Sequence, residues 1–192
     1  MYFAIASAII AVACSAITIK TLVGYSDIRR SRKIIVGLLV VVGWFAPLLV
    51  GLVRDSGLFG PEAFAVVSKI LYLMFGTVFI LFSMLLFRDV VWFALYWIYS
   101  KIFGENWKLH PKNINLLDKA NFIVVLLTAV LASMAVYGGA REPELKRLEF
   151  ASARISKDMR IVMINDTHIN RTTPVETVRK LVDRVNALDA DA

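Results

Sequence analysis

The sequence predicts a mainly α membrane protein. Four transmembrane helices occupy residues 1–140, and residues 141–192 carry a linker and the opening of an α/β unit of βαβ type. Three observations lead there. Hydrophobic residues make up 58% of the 192-residue chain and charged residues only 19%, well outside the balance of a soluble domain. Four long runs lack charge altogether. The charges that remain are segregated: residues 1–140 hold 12 Lys or Arg against 6 Asp or Glu, whereas residues 141–192 hold 10 against 9. The net charge of +7 therefore belongs to the connectors between apolar runs. That pattern fits a lipid bilayer as partner and excludes nucleic acid as its explanation.

The first span covers about residues 2–23. Met1 to Ile19 contains no charge, and no basic residue precedes the apolar core as it would in a secretory signal, so an uncleaved helix is expected. Cys14, the single cysteine, sits inside this run as a small hydrophobe, and no disulfide can form within one chain. Asp27 to Lys33 is a basic connector. The second span, Ile34 to Val53, is 20 uncharged residues with Pro47 expected to kink it near its end. Arg54 to Glu62 is a turn-rich loop, and the third span follows over about 66–87. Arg88-Asp89 then interrupts the apolar pattern.

Residues 90–103 hold Trp92, Phe93, Tyr96, Trp97, Tyr99 and Phe103, too short a stretch for another crossing and too aromatic for an ordinary loop. The segment reads either as a continuation of the third helix or as an interfacial helix at headgroup level. An aromatic belt that fixes helix depth is the simpler role, and lipid binding or substrate presentation the alternative. Glu105 to Lys119 is a polar loop in which His110, before Pro111, is a solvated side chain without a metal-binding partner. The fourth span, Ala120 to Gly139, is again 20 uncharged residues. Glycines at 37, 43, 51 and 76 do not fall at GxxxG spacing and read as ordinary packing positions.

Orientation follows from the basic residues. Residues 20–33 and 88–119 hold 5 each, whereas residues 54–69 hold 2, offset by 2 acids. The positive-inside rule puts the first two segments in the cytoplasm. The N-terminus and the C-terminal part are then both on the outer, periplasmic or extracellular, face of a bacterial-type inner (plasma) membrane.

The tail carries the chemistry. Glu142-Pro143-Glu144 opens a linker, and Leu148 to Ile155 is a candidate first strand with imperfect alternation. Ile161-Val162-Met163-Ile164-Asn165 is a short β-branched run that predicts a buried strand, and Asp166-Thr167-His168 follows at its end. A carboxylate and an imidazole one residue apart in a loop past a strand can turn toward one cation. An isolated triplet of this kind is as readily an Asx-turn, so its neighbours decide the matter. Thr173-Pro174-Val175-Glu176 has the form of a capping box with Pro at the first helical position. Val175, Val178, Leu181, Val182, Val185 and Leu188 then line one face of the helix it opens. Strand, metal-competent loop and amphipathic helix make the first half of a βαβ unit.

Arg160 to Ala192 thereby resembles the opening of a calcineurin-like metallophosphoesterase domain, in which a strand ends in Asp-x-His and a helix follows with a pattern like that of Leu181 to Asp191. The resemblance covers about 33 residues and the first of the family's motifs. It implies Asp166 and His168 as ligands of one metal in a centre of two divalent ions, with Mn, Fe, Zn and Mg all open. Asn165 stands where the family more often has Ser or Thr. The general acid and the remaining motifs have no counterpart within these residues, so the catalytic residues are unassigned.

The function expected is a membrane-tethered, metal-dependent phosphoesterase that cleaves phosphodiesters or phosphomonoesters. The aromatic segment and the tether suggest a phosphorylated lipid, a lipid-linked sugar or a nucleotide-lipid as substrate. A truncated metallophosphoesterase start with half a sheet buries little core, so these residues alone are expected to be inactive and to hold metal weakly. Two readings from other classes stand beside it: a membrane scaffold that binds a partner protein, and an accessory subunit of a transporter. Against the latter, none of the four uncharged runs contains an acid or base of the kind that marks an ion pathway.

Overall fold

A computed structural model describes residues 2–26, 28–104, 114–139, 141, 144–151, 157–167, 169 and 173–191. Its elements are α1 (Tyr2–Val23), α2 (Arg30–Ser56), α3 (Pro61–Phe103), α4 (Ile114–Gly139) and α5 (Val175–Asn186). The first four are long and apolar enough to cross a membrane by length and composition. They pack in sequence, α1 on α2, α2 on α3 and α3 on α4, with α1 also reaching α3. Both the N-terminus and the end of α4 lie on the side of the α2–α3 turn.

Helix α2 absorbs more of the chain than its uncharged run, because neither the basic residues before Ile34 nor Arg54-Asp55-Ser56 contain a breaker. It ends where Gly57 adopts a left-handed φ of 63°, a conformation glycine takes without a Cβ penalty. Pro47 does not interrupt the helix, although it cannot donate to the carbonyl of Gly43. Pro61 at the first turn starts α3.

Helix α3 settles the aromatic segment. Residues 90–103 continue it without a break, so the helix runs 43 residues, about 64 Å at ~1.5 Å per residue. A bilayer core needs about 30 Å. Nothing in residues 88–103 ends a helix: the stretch has no Gly or Pro, and Gly104 with φ 82° is the first residue to turn the chain. Tyr99 and Phe103 stack one turn apart, 5.8 Å between ring centroids. Helix α4 likewise begins at Ile114, inside what reads in sequence as a loop. His110 lies outside the described residues.

Two apolar clusters hold the four helices together. Ala11, Val40, Trp44 and Val78 meet at mid-depth. Trp44 stands edge-on to Phe75 and Phe82, at 5.9 and 5.4 Å between centroids. Its indole Nε1–H donates to Thr18 Oγ1 at 3.3 Å, and Thr18 in turn donates to the carbonyl of Cys14 at 2.7 Å. Leu22, Val23, Leu85 and Val124 form the second cluster, nearer the α1–α2 turn.

Gly43 allows α2 to approach α3. A Cβ there would stand 2.5 Å from Val78 Cγ2 and 3.3 Å from the carbonyl oxygen of Met74, whereas Gly51 and Gly76 have nothing within 4 Å. We expect Gly43→Ala to cost about 1–3 kcal/mol by overpacking. Thermal unfolding in detergent checks it: Gly43→Ala/Val78→Ala should recover part of the loss, and Gly76→Ala should show none.

Helix α3 also corrects the expectation that the spans are free of interior charge. Arg88 is 8% exposed. Its Nε and Nη2 donate to Asp89 Oδ1 at 2.9 and 2.5 Å, and its Nη1 donates to Asn121 Oδ1 on α4. Asn121, 3% exposed, donates through Nδ2 to the carbonyls of Thr21 and Leu22 at 3.3 and 3.1 Å. One amide thus joins the end of α1, the middle of α3 and the start of α4. The buried cation uses all three of its nitrogens on two partners, Asp89 and Asn121, as a charge removed from water requires.

Candidate metal-binding segment

In the tail, residues 158–167 form a segment without regular secondary structure, and no β-strand occurs among the described residues. A strand over Ile161 to Asn165 and a first strand over Leu148 to Ile155 were both expected. The described part of the second is irregular, and residues 152–156 lie outside the described set. A strand needs a neighbour to pair with, and among the described residues backbone pairing to this segment occurs at one position. There the backbone N–H of Arg160 donates to Asp191 Oδ2, and the backbone N–H of Asp191 donates to the Arg160 carbonyl, both at 2.8 Å. Arg160 Nη1 also donates to the carbonyl of Leu188 at 2.8 Å.

Helix α5 explains how Asp191 returns to Arg160. Its 12 residues rise about 18 Å, close to the roughly 20 Å that the six steps from Arg160 to Asp166 can span. Running back along that segment, the helix delivers its end beside the segment's beginning. Two aspartates turn the chain at the ends of this path: Asp166 with φ 57° and Asp189 with φ 48°. Aspartate tolerates the left-handed region better than most residues.

The N-terminus of α5 differs from the expected capping box by one residue. Pro174, with φ −59° and ψ 136°, takes the cap position and its carbonyl receives the N–H groups of Thr177 and Val178. Glu176 lies in the first turn and pairs with Arg179 at 3.4 Å, an exposed contact of small worth. Of the apolar face, Val178, Leu181, Val185 and Leu188 are half-buried, as is Val162 of the segment 158–167. Val175 and Val182 stay exposed, and so do Ile161, Met163 and Ile164. An apolar run with this much surface in water lacks the layers that would cover it.

Asp166 is exposed, at the outer end of that segment, where its carboxylate can reach a cation in solution. His168 lies outside the described residues. Among the described residues no group of three or more His, Cys, Asp or Glu side chains could hold a metal ion. Asp166 fits as one oxygen donor of a divalent-cation site, and the described side chains do not complete that site. Cys14, half-buried in α1, takes no part.

Sequence reasoning missed the polar junction in the helical region. Arg88-Asp89 reads as the end of a span, and Asn121 disappears inside an uncharged run. The signal available was the pairing of types: a cation inside a 43-residue apolar helix needs a partner, and Asn121 is an amide one residue into the next apolar run.

No known family's profile matches the chain, and no solved structure does. Among curated proteins, one of Campylobacter jejuni named an uncharacterized metallophosphoesterase is 25% identical to this chain over 123 residues. That stretch is 64% of this chain and 31% of the Campylobacter protein, so the chain spans about a third of the length of the relative it matches. The match is longer than the 52 residues from Arg141 to Ala192, so it draws on the helical region as well as on any part of the tail.

Proposed function

We propose that this chain is the membrane-tethered leading part of a metal-dependent phosphoesterase, with Asp166 and His168 as ligands of one of its two divalent metals. Asp166 carries the reading. It follows the apolar run Ile161 to Asn165, has a left-handed φ ahead of an amphipathic helix, and precedes a histidine by two positions. The likeness to a protein named a metallophosphoesterase supports it. A metal pair of this kind would supply charge neutralisation at a phosphate ester and a hydroxide at neutral pH. The chain's own contribution is to place the carboxylate and imidazole at one loop, with Arg160 and Asp191 tying the base of that loop together.

The tether defines where substrate is met. Helices α1 to α4 hold the tail at a bilayer surface, with the N-terminus and the tail on the outer face. The substrate class is a phosphodiester or phosphomonoester carried on a lipid. The test is hydrolysis of bis-p-nitrophenyl phosphate by the product of the complete reading frame in detergent. Activity should be abolished by chelation and restored by Mn²⁺. No metal-dependent hydrolysis of this diester or of p-nitrophenyl phosphate would sink the enzyme reading and leave a membrane scaffold.

A further inference from the structure

A second candidate site lies in the helical region and owes nothing to the phosphoesterase reading. A cavity of about 140 Å³ is lined by Tyr25 after α1, by Asp89, Trp92 and Phe93 of α3, and by Leu117 of α4. It adjoins the Arg88–Asn121 junction, at the level where Lys20, Arg88 and Lys119 mark the end of the apolar runs. Asn121 stands 18 residues from Gly139, about 27 Å along α4, so the cavity and the tail are at opposite ends of the bundle. In a bilayer this is headgroup depth on the face away from the tail.

Two polar groups in the cavity wall have unused capacity. The indole Nε1–H of Trp92 is buried and has no hydrogen-bond partner among the described residues, a state in which indoles are rarely left. Asp89 spends one oxygen, Oδ1, on Arg88, and among the described residues Oδ2 accepts nothing, while its side chain keeps 37% of its surface. Beside the Tyr25 side chain, the wall thus offers one unmet donor and one unmet acceptor. It carries no net charge, because the Arg88 guanidinium compensates the Asp89 carboxylate. An ionic ligand would find no countercharge there, and a purely apolar one would leave both groups unmet. A group that both donates and accepts through hydroxyls, with C–H faces for Phe93, Tyr25 and Leu117, satisfies every wall.

We propose that this cavity binds a polyhydroxylated group, a sugar or polyol, presented at headgroup depth. One hydroxyl oxygen accepts from Trp92 Nε1–H and another hydroxyl donates to Asp89 Oδ2. The cavity exceeds the space of a single water, so one ordered water would not fill it.

The test uses the intact protein in phosphatidylcholine nanodiscs with and without monoglucosyl-diacylglycerol, with co-purifying lipid read by native mass spectrometry. Wild-type protein should retain the glucolipid over phosphatidylcholine. Trp92→Phe, which keeps a six-membered aromatic ring and loses the N–H, should retain it about fivefold to tenfold less, the effect of one hydrogen bond. Asp89→Asn should act in the same direction. Free glucose that competes the lipid off would assign the cavity to a soluble sugar with the same contacts. Glucolipid retained equally by wild type and Trp92→Phe, or not enriched at all, would overturn the proposal and leave Trp92 bonded to water. Because Trp92→Phe keeps an aromatic ring and most of the side-chain volume, a folded variant is expected. Its phosphoesterase activity in detergent should match wild type, which separates this result from the fate of the catalytic reading.

Discussion

Asp166→Ala and His168→Ala, each made in the product of the complete reading frame, should lower Mn²⁺-dependent hydrolysis of bis-p-nitrophenyl phosphate by at least about 100-fold. Substituting groups that merely orient metal ligands costs about 10–100-fold, so loss of a ligand itself should exceed that range. The two substitutions should not multiply, because the second removes a ligand from a site already lost. Asp166→Asn is the informative companion. It keeps the shape and the tolerance of the left-handed backbone at φ 57° while removing the charge, so a defect as deep as that of Asp166→Ala would place the effect on metal ligation. Asp166→Gly relaxes the backbone entirely. Full activity in Asp166→Asn and Asp166→Gly would reduce the residue to a turn former.

Asn121→Leu should destabilise the helical region by about 2–4 kcal/mol. The amide makes three hydrogen bonds, one from Arg88 and one each to the carbonyls of Thr21 and Leu22. Hydrogen bonds between membrane helices average about 0.6 kcal/mol and reach ~1.7, and a buried cation short of a partner adds to the sum. Asn121→Asp separates the two contributions. A carboxylate still accepts from Arg88 but cannot donate to the end of α1, so it should lose the α1 contacts and keep the α3–α4 pairing. Thermal unfolding in detergent, followed by circular dichroism, reads both. A midpoint unchanged in Asn121→Leu would mean that the junction contributes nothing to the packing of α1, α3 and α4.

Much of the helical region is legible because its signal is local. An uncharged run such as Ile34 to Val53 reports its own state, since no other secondary structure satisfies its backbone away from water. Helix ends are less legible. Residues 90–103 could be an interfacial helix or an extension, and the decision fell to the lack of any breaker between Phe87 and Gly104. The tail is harder still. The run from Ile161 to Asn165 has strand composition, but a strand exists only through a ladder with another segment, and Arg160 with Asp191 provides a single rung. The Asp-Thr-His triplet is legible as a pattern of ligand types, whereas a metal site is a convergence of side chains from several elements, and the described residues hold no group of three or more His, Cys, Asp or Glu side chains that could bind a metal ion.

The sequence by itself determined the number of long apolar helices, the polarity of the connectors and the two residues on which a phosphoesterase reading turns. Each is a property of consecutive residues and their chemistry. Only the tertiary structure decided that Arg88 is buried, that Asn121 joins three helices, that Gly43 is a contact point while Gly51 and Gly76 are not, and that Trp92 and Asp89 face one cavity. These depend on which residues far apart in the chain come within reach of one another. That is fixed by how side-chain volumes and polar groups pair across helices, and it leaves no trace in a run of apolar letters.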